Sequence, residues 1–193
     1  MNGEVPVVAI IGGGIVGLAA AYRFLERHPG TPLVVLGAIA VRENRLDEAQ
    51  HHLELVLEQY PNLGSALDQL ALTYQKQGKL DQAIDVFDRA RRAVPLQHAL
   101  YTVNIAVLHR MKNRSDEALA DLESIRDQLR HATDPGVLRG WWFLGELYRE
   151  KGLREQAAAA YRKYLAATSG NTEPEVVALR KYVADTLQTT TGQ

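Results

Sequence analysis

The apolar positions between residues 33 and 95 recur at helical spacing, and the same arrangement occurs twice. The first copy, LVVLGAIAVRENRLDEAQHHLELVLEQYP (33–61), is followed by LDQLALTYQKQGKLDQAIDVFDRARRAVP (67–95). Leu36 and Leu70, Leu46 and Leu80, Ala49 and Ala83, and Pro61 and Pro95 all stand 34 residues apart. Each copy has two amphipathic stretches flanking a short polar break, which predicts a helical hairpin. A hairpin of this size cannot enclose its own apolar face, so the copies must stack on one another.

The small residues mark where paired helices approach closely. In the second copy Ala71 faces Ala83, with Leu67, Leu70, Tyr74, Ile84 and Phe87 filling the space around them. Gly78 at the break supplies a left-handed turn, Asp81 offers an N-cap or a first-turn acid, and Pro95 ends the unit. In the first copy Gly37 and Ala49 take the close-packing positions and Asn44 stands at the break, where asparagine also tolerates the left-handed conformation. A third copy starts near Ala99, with Ala106, Asn113 and Ala118 in matching places. It is one residue longer and has no closing proline. The fourth, WWFLGELYREKGLREQAAAAYRKYL, has Trp141, Gly145, Tyr148, Gly152, Ala157 and Tyr161 at those positions. Between the third and fourth, HATDPGV (131–137) reads as a Pro-Gly loop that lengthens the connection.

This punctuation resembles the tetratricopeptide repeat family over residues 30–171. The resemblance implies an all-α, right-handed superhelical array of about four hairpins, at 30–63, 64–97, 99–132 and 138–171. Residues 172–193 then read as a capping helix and tail, with Thr172 as N-cap and Pro174 at the first helical position. Val176, Leu179, Tyr182, Val183 and Leu187 form one apolar stripe that would cover the open end of the array. The last residues, TTTGQ, are expected to fray.

Residues 1–29 are a different kind of segment. A β-branched run from Val5 to Ile11 meets Gly12, Gly14 and Gly17 in G-x-G-x-x-G spacing, and a helical stretch follows. In that setting Gly12 makes the tight turn, Gly14 lets the backbone approach a pyrophosphate and Gly17 allows close helix packing. The segment resembles the start of FAD-dependent oxidoreductases of the D-amino-acid-oxidase and glycine-oxidase type, which implies cofactor binding at these three glycines. The remainder of such a fold does not follow. Residues 33–36 would be its second strand, yet Gly37 stands where a ribose-binding acid belongs, and no further strands are predicted. The expectation is therefore no retained FAD and no other cofactor, with the segment either a residual β-α fragment or a helix. As a helix, residues 15–28 would pack on the first repeat, with Ala20, Phe24 and Pro29 in repeat-like places. A membrane span over 5–22 meets the length criterion and carries Gly13-x-x-x-Gly17. Pro6, four glycines and the lack of a basic flank stand against it.

Charge and chemistry narrow the function classes. With 22 basic and 23 acidic residues there is no global argument for nucleic acid, and without cysteine there are no disulfides, thiolate nucleophiles or cysteine zinc sites. His51 and His52 are adjacent and cannot share a metal as an i, i+4 pair would, and His28, His98, His109 and His131 lack ligand spacing. Ser65, Ser115, Ser124 and Ser169 lack a nucleophile setting. The pairs Asp47-Glu48 and Asp116-Glu117 read as first-turn acids that suit the helix dipole.

The repeat resemblance implies a concave face lined by Val34, Ala38, Val41 and Arg42; Asp68, Leu72, Gln75 and Lys76; Val103, Val107, Arg110 and Met111; and Trp142, Glu146, Arg149 and Glu150. On that face Arg42, Lys76, Arg110 and Arg149 make a basic ladder, with Leu72, Val107 and Met111 as apolar steps and Trp142 as an exposed indole. Such a surface suits a partner segment that carries acidic and apolar groups. A competing account places the same cations at first-helix C-termini because the dipole favours them there. The expected function is a non-enzymatic protein-interaction scaffold in the cytoplasm, open to self-association. A flavoenzyme fragment and a membrane-anchored assembly factor are the alternatives.

Overall fold

The computed structural model of the protein describes residues 34–191, which are helical with no strand among them. They fall into two compact units divided between Ala93 and Val94.

The first unit contains α1 (Val34–Arg42), α2 (Leu46–Gln59), α3 (Gly64–Lys76) and α4 (Leu80–Ala93). Helix α1 pairs with α2 and α3 with α4, while α3 also packs on α1 and α2. Ala40, Ala49, Ala71 and Ala83 are fully buried at the seams, and Leu53, Leu67 and Phe87 fill the space beside them. Asp81 lies in the first turn of α4, which begins at Leu80. The stretch at 33–36 considered as a second strand is not one, because residues 34–36 belong to α1. Its apolar run continues without a break into Gly37–Arg42, and the helix is secured by packing on α2. Gly12, Gly14, Gly17 and every reading of residues 1–29 lie outside the described residues. No described helix is long and apolar enough to cross a membrane.

The second unit opens with a 3-10 turn (Pro95–Gln97). It continues as α5 (His98–Met111), α6 (Ser115–Ser124), α7 (Arg126–His131), α8 (Pro135–Glu150), α9 (Arg154–Ala167) and α10 (Pro174–Thr191). Five details differ from the sequence-based expectation. The second helix of the third repeat breaks at Ile125 (φ −106°, ψ 13°), and the short α7 is tied to α8 by the Trp141 indole N–H, which donates to the Leu129 carbonyl at 3.0 Å. Of the expected loop at 131–137 only residues 132–134 are non-helical, and Pro135 and Gly136 instead open α8, where Pro135 needs no donor and the Asp134 side chain caps by accepting from the Val137 N–H at 3.1 Å. Helix α10 begins at Pro174, so Thr172 lies one residue outside the N-cap position, and the Asn171 side chain accepts from the Glu173 N–H at 2.8 Å in the turn just before the helix. Along α10, Val183 is buried and Val176, Leu179 and Leu187 are half-buried, but Tyr182, next to Val183, points to another face and is 48% exposed. The helix continues through Thr191 rather than fraying at Thr189.

The four hairpin turns close alike. Asn44, Gly78, Asn113 and Gly152 have φ of 59°, 74°, 59° and 74°. In each the following N–H reaches back five residues, as Arg45 to Ala40, Lys79 to Tyr74, Arg114 to His109 and Leu153 to Tyr148. Asn113→Ala should therefore lose about 1 kcal/mol while Asn113→Gly should lose nothing or gain slightly. Chemical denaturation of the two variants checks this. Equal stability of the alanine and glycine forms would contradict the shared turn geometry.

Candidate functional site

In the first unit the groove positions fall on the neighbouring helices α1 and α3. Arg42, at the end of α1, and Lys76, at the end of α3, are exposed, and Leu72, one turn before Lys76, is 39% exposed. Neither cation makes an ion pair among the described residues. The Lys76 ammonium lies 3.4 Å from the Val41 carbonyl, in the last turn of α1, so the helix dipole does help to place it. Val41 is buried with Ala40 and Ala49, and Ala38 is half-buried. Below this surface the Tyr74 hydroxyl donates to Glu54 at 2.9 Å, joining α3 to α2. Burial, reinforced by that carboxylate, pushes the Tyr74 pKa up to about 12.

In the second unit α5 packs beside α8. Here the cations are neutralised. Arg110 pairs with Glu150 and lies over the Phe143 ring, 5.4 Å from its centroid. Arg149 donates to Glu146 at 2.7 Å, and the other Glu146 oxygen accepts from the Tyr161 hydroxyl at 2.7 Å. Glu146 is only 3% exposed, and a carboxylate so placed needs both partners to offset its lost hydration. Burial first, and then Glu146, hold the Tyr161 pKa well above the ordinary tyrosine value, and the hydrogen bond to Glu146 raises that of Arg149 above the ordinary guanidinium value. Met111 is half exposed, Val107 packs partly against the core and Val103 is buried within it.

Trp142 is not the exposed indole expected from its repeat position. It is half-buried against the core of the second unit, its ring 6.0 Å from that of Phe143, and its N–H is buried without a hydrogen-bond partner. The reason is crowding: α8 touches α5, α6, α7, α9 and α10, so little of its circumference stays open. The run Trp141-Trp142-Phe143-Leu144 held that signal, since four large apolar residues in succession sweep most of a helix and call for burial on several sides.

The fold also gives His109 neighbours that its spacing did not announce. Its Nδ1 lies 2.7 Å from Asp121 and its Nε2 3.6 Å from Glu117, clasping α5 to α6. No group of three ligand-type residues that could hold a metal occurs among the described residues.

Comparison with known proteins agrees with this geometry. The profile of the TT21 fifth ARM repeats domain matches residues 31–134, and a tetratricopeptide repeat profile matches residues 126–172. No curated protein sequence matches the chain. Among solved structures, the thermophilic TPR protein TTC0263 from Thermus thermophilus is 20% identical. The match covers 87% of this chain and 89% of that one, with a TM-score of 0.65. MamA from Desulfovibrio magneticus RS-1 is 18% identical over 83% of this chain and 88% of its own, with a TM-score of 0.60. The APC/C hetero-tetramer Cut9-Hcn1 gives 19% identity and a TM-score of 0.70 over 89% of this chain, which spans 33% of that one. At such identities the likeness is one of fold. Because the first profile spans more than half of its length, the chain belongs to the family of the TT21 fifth ARM repeats domain, and its helical hairpins are of the tetratricopeptide type.

Proposed function

We propose that the protein is an interaction scaffold that takes an acidic, partly apolar segment of a partner protein on the α1 and α3 face of its first unit. The observation that carries this reading is the pairing of two exposed cations, Arg42 and Lys76, neither neutralised among the described residues, with the exposed Leu72 on the same helix as Lys76. Carboxylates would meet the cations through charge-assisted hydrogen bonds, and an apolar side chain would cover Leu72. In the second unit Arg110 and Arg149 are already matched by Glu150 and Glu146, so the proposal is confined to the first unit. The likeness to a subunit of a multi-protein assembly, Cut9-Hcn1, is consistent with a scaffold role.

A fluorescein-labelled peptide of alternating glutamate and leucine is the probe. Arg42→Glu combined with Lys76→Glu should weaken its binding at least tenfold, about the effect of reversing two charge-assisted contacts, with an unchanged far-ultraviolet circular dichroism spectrum. Equal affinity of the double variant and the parent would remove this face from the assignment.

A further inference from the structure

A second polar surface is built from residues of the second unit alone. Within the second unit, a groove of about 730 Å3 opens where the end of α8, the start of α9 and the end of α10 meet. Arg149, Arg154 and Arg162 line it from α8 and α9, and Thr189, Thr190 and Thr191 line it from α10. Glu155 is the single acid among the lining residues, so the groove carries a local excess of positive charge in a chain whose net charge is −1.

The chemistry of the two walls is complementary to one kind of ligand. Arg149 is fixed by Glu146, whereas Arg154 and Arg162 make no ion pair among the described residues and are exposed. The first turn of α9 adds to the positive potential, because its N-cap residue, Leu153, provides no side-chain oxygen for the leading N–H groups. On the other wall the hydroxyl protons are already committed. Thr189 and Thr190 each donate to the Thr186 carbonyl at 2.8 Å, and Thr191 donates to the Leu187 carbonyl at 3.0 Å. The threonine oxygens can therefore only accept.

We infer that this groove binds an acidic peptide segment, whose carboxylates pair with Arg154 and Arg162 and whose backbone N–H groups donate to the threonine oxygens. A bare anion would satisfy the guanidinium wall alone and fill a small part of the volume. An extended segment presents side-chain carboxylates and backbone N–H donors together, which is what the two walls require. The site shares no residue with the α1 and α3 face and stands or falls independently of it.

The test is a titration of the 15N-labelled full-length protein with a hexaglutamate peptide, followed by amide chemical shifts. Saturable shifts are expected at Gly152, Arg154, Glu155, Thr190 and Thr191. They should require at least tenfold more peptide in the R154E/R162E variant and persist in the R42E/K76E variant. The milder Arg162→Gln variant, which keeps most of the side-chain volume, should show an intermediate loss if the double variant is poorly folded. Absent shifts at these amides, or affinities of the R154E/R162E and Arg162→Gln variants equal to that of the parent, would overturn the assignment. Equal shifts with inorganic phosphate at the same concentration would also overturn it, reducing the groove to a simple anion site.

Discussion

Replacing Gly145 by alanine is expected to lower the melting temperature by about 5–10 °C, a loss of roughly 2–3 kcal/mol. An added Cβ would lie 2.3 Å from Cε1 and 2.4 Å from Cδ1 of Tyr161, far inside contact distance. The ring cannot swing aside readily, because Tyr161 is fully buried and its hydroxyl is held by Glu146. Gly37 sets the comparison. There an added Cβ meets Leu53 at 2.6 Å from Cγ and 2.8 Å from Cδ2, a buried but aliphatic side chain with no hydrogen bond or rigid ring to hold it, so Gly37→Ala should cost less. Calorimetry of the two variants decides the matter, and a Gly145→Ala shift below about 2 °C would show that α8 and α9 do not meet at this seam.

The second large effect is expected at Glu146. Glu146→Ala removes a carboxylate that accepts from both Tyr161 and Arg149, and leaves the buried phenol without its acceptor. The expected loss is about 3 kcal/mol, with Glu146→Gln milder because it keeps an oxygen for the phenol. Buried phenols, one in this network and one bonded to Glu54, make stability depend on alkaline pH. Tyr161 and Tyr74 both hold their protons more tightly folded than unfolded, where the ordinary value is 10.0. Their contribution is complete below pH 10 and is lost as the pH rises, in the case of Tyr74 between pH 10 and about 12. Denaturation midpoints measured from pH 8 to 12 should fall beyond pH 10 and fall less steeply in a Tyr74→Phe, Tyr161→Phe double variant. A parallel decline in both proteins would contradict the buried-phenol account.

The turns were legible in the sequence because backbone geometry restricts residue choice there: only glycine and asparagine occupy the four left-handed positions at 44, 78, 113 and 152. The alanine seams were legible for a similar reason, since close helix approach leaves room for nothing larger. Other features depend on neighbours that a one-dimensional pattern does not contain. The break at Ile125 has no proline or glycine to mark it. Asp134-Pro135 has the composition of a loop and the geometry of a capped helix start, and only the Val137 N–H settles which. On the candidate face, Arg110 and Arg149 were read as a ladder of cations, although Glu146 and Glu150 stood at groove positions of the same helix. The Arg149–Glu146 pair lies within α8 at i,i+3 spacing and was readable there, whereas the Arg110–Glu150 pair forms only when α5 and α8 are laid side by side. The arginines of α9 and the threonines of α10 belong to no repeat signature, and tertiary packing alone brings them to one groove.

The most direct test of the scaffold account is amide hydrogen exchange of the full-length protein with and without the alternating glutamate-leucine peptide. Added protection is expected over Val34–Arg42 and Gly64–Lys76, with the exposed sides of Leu46–Gln59 and Leu80–Ala93 unchanged. Protection confined to those second helices, or none in the first unit at saturating peptide, would contradict it.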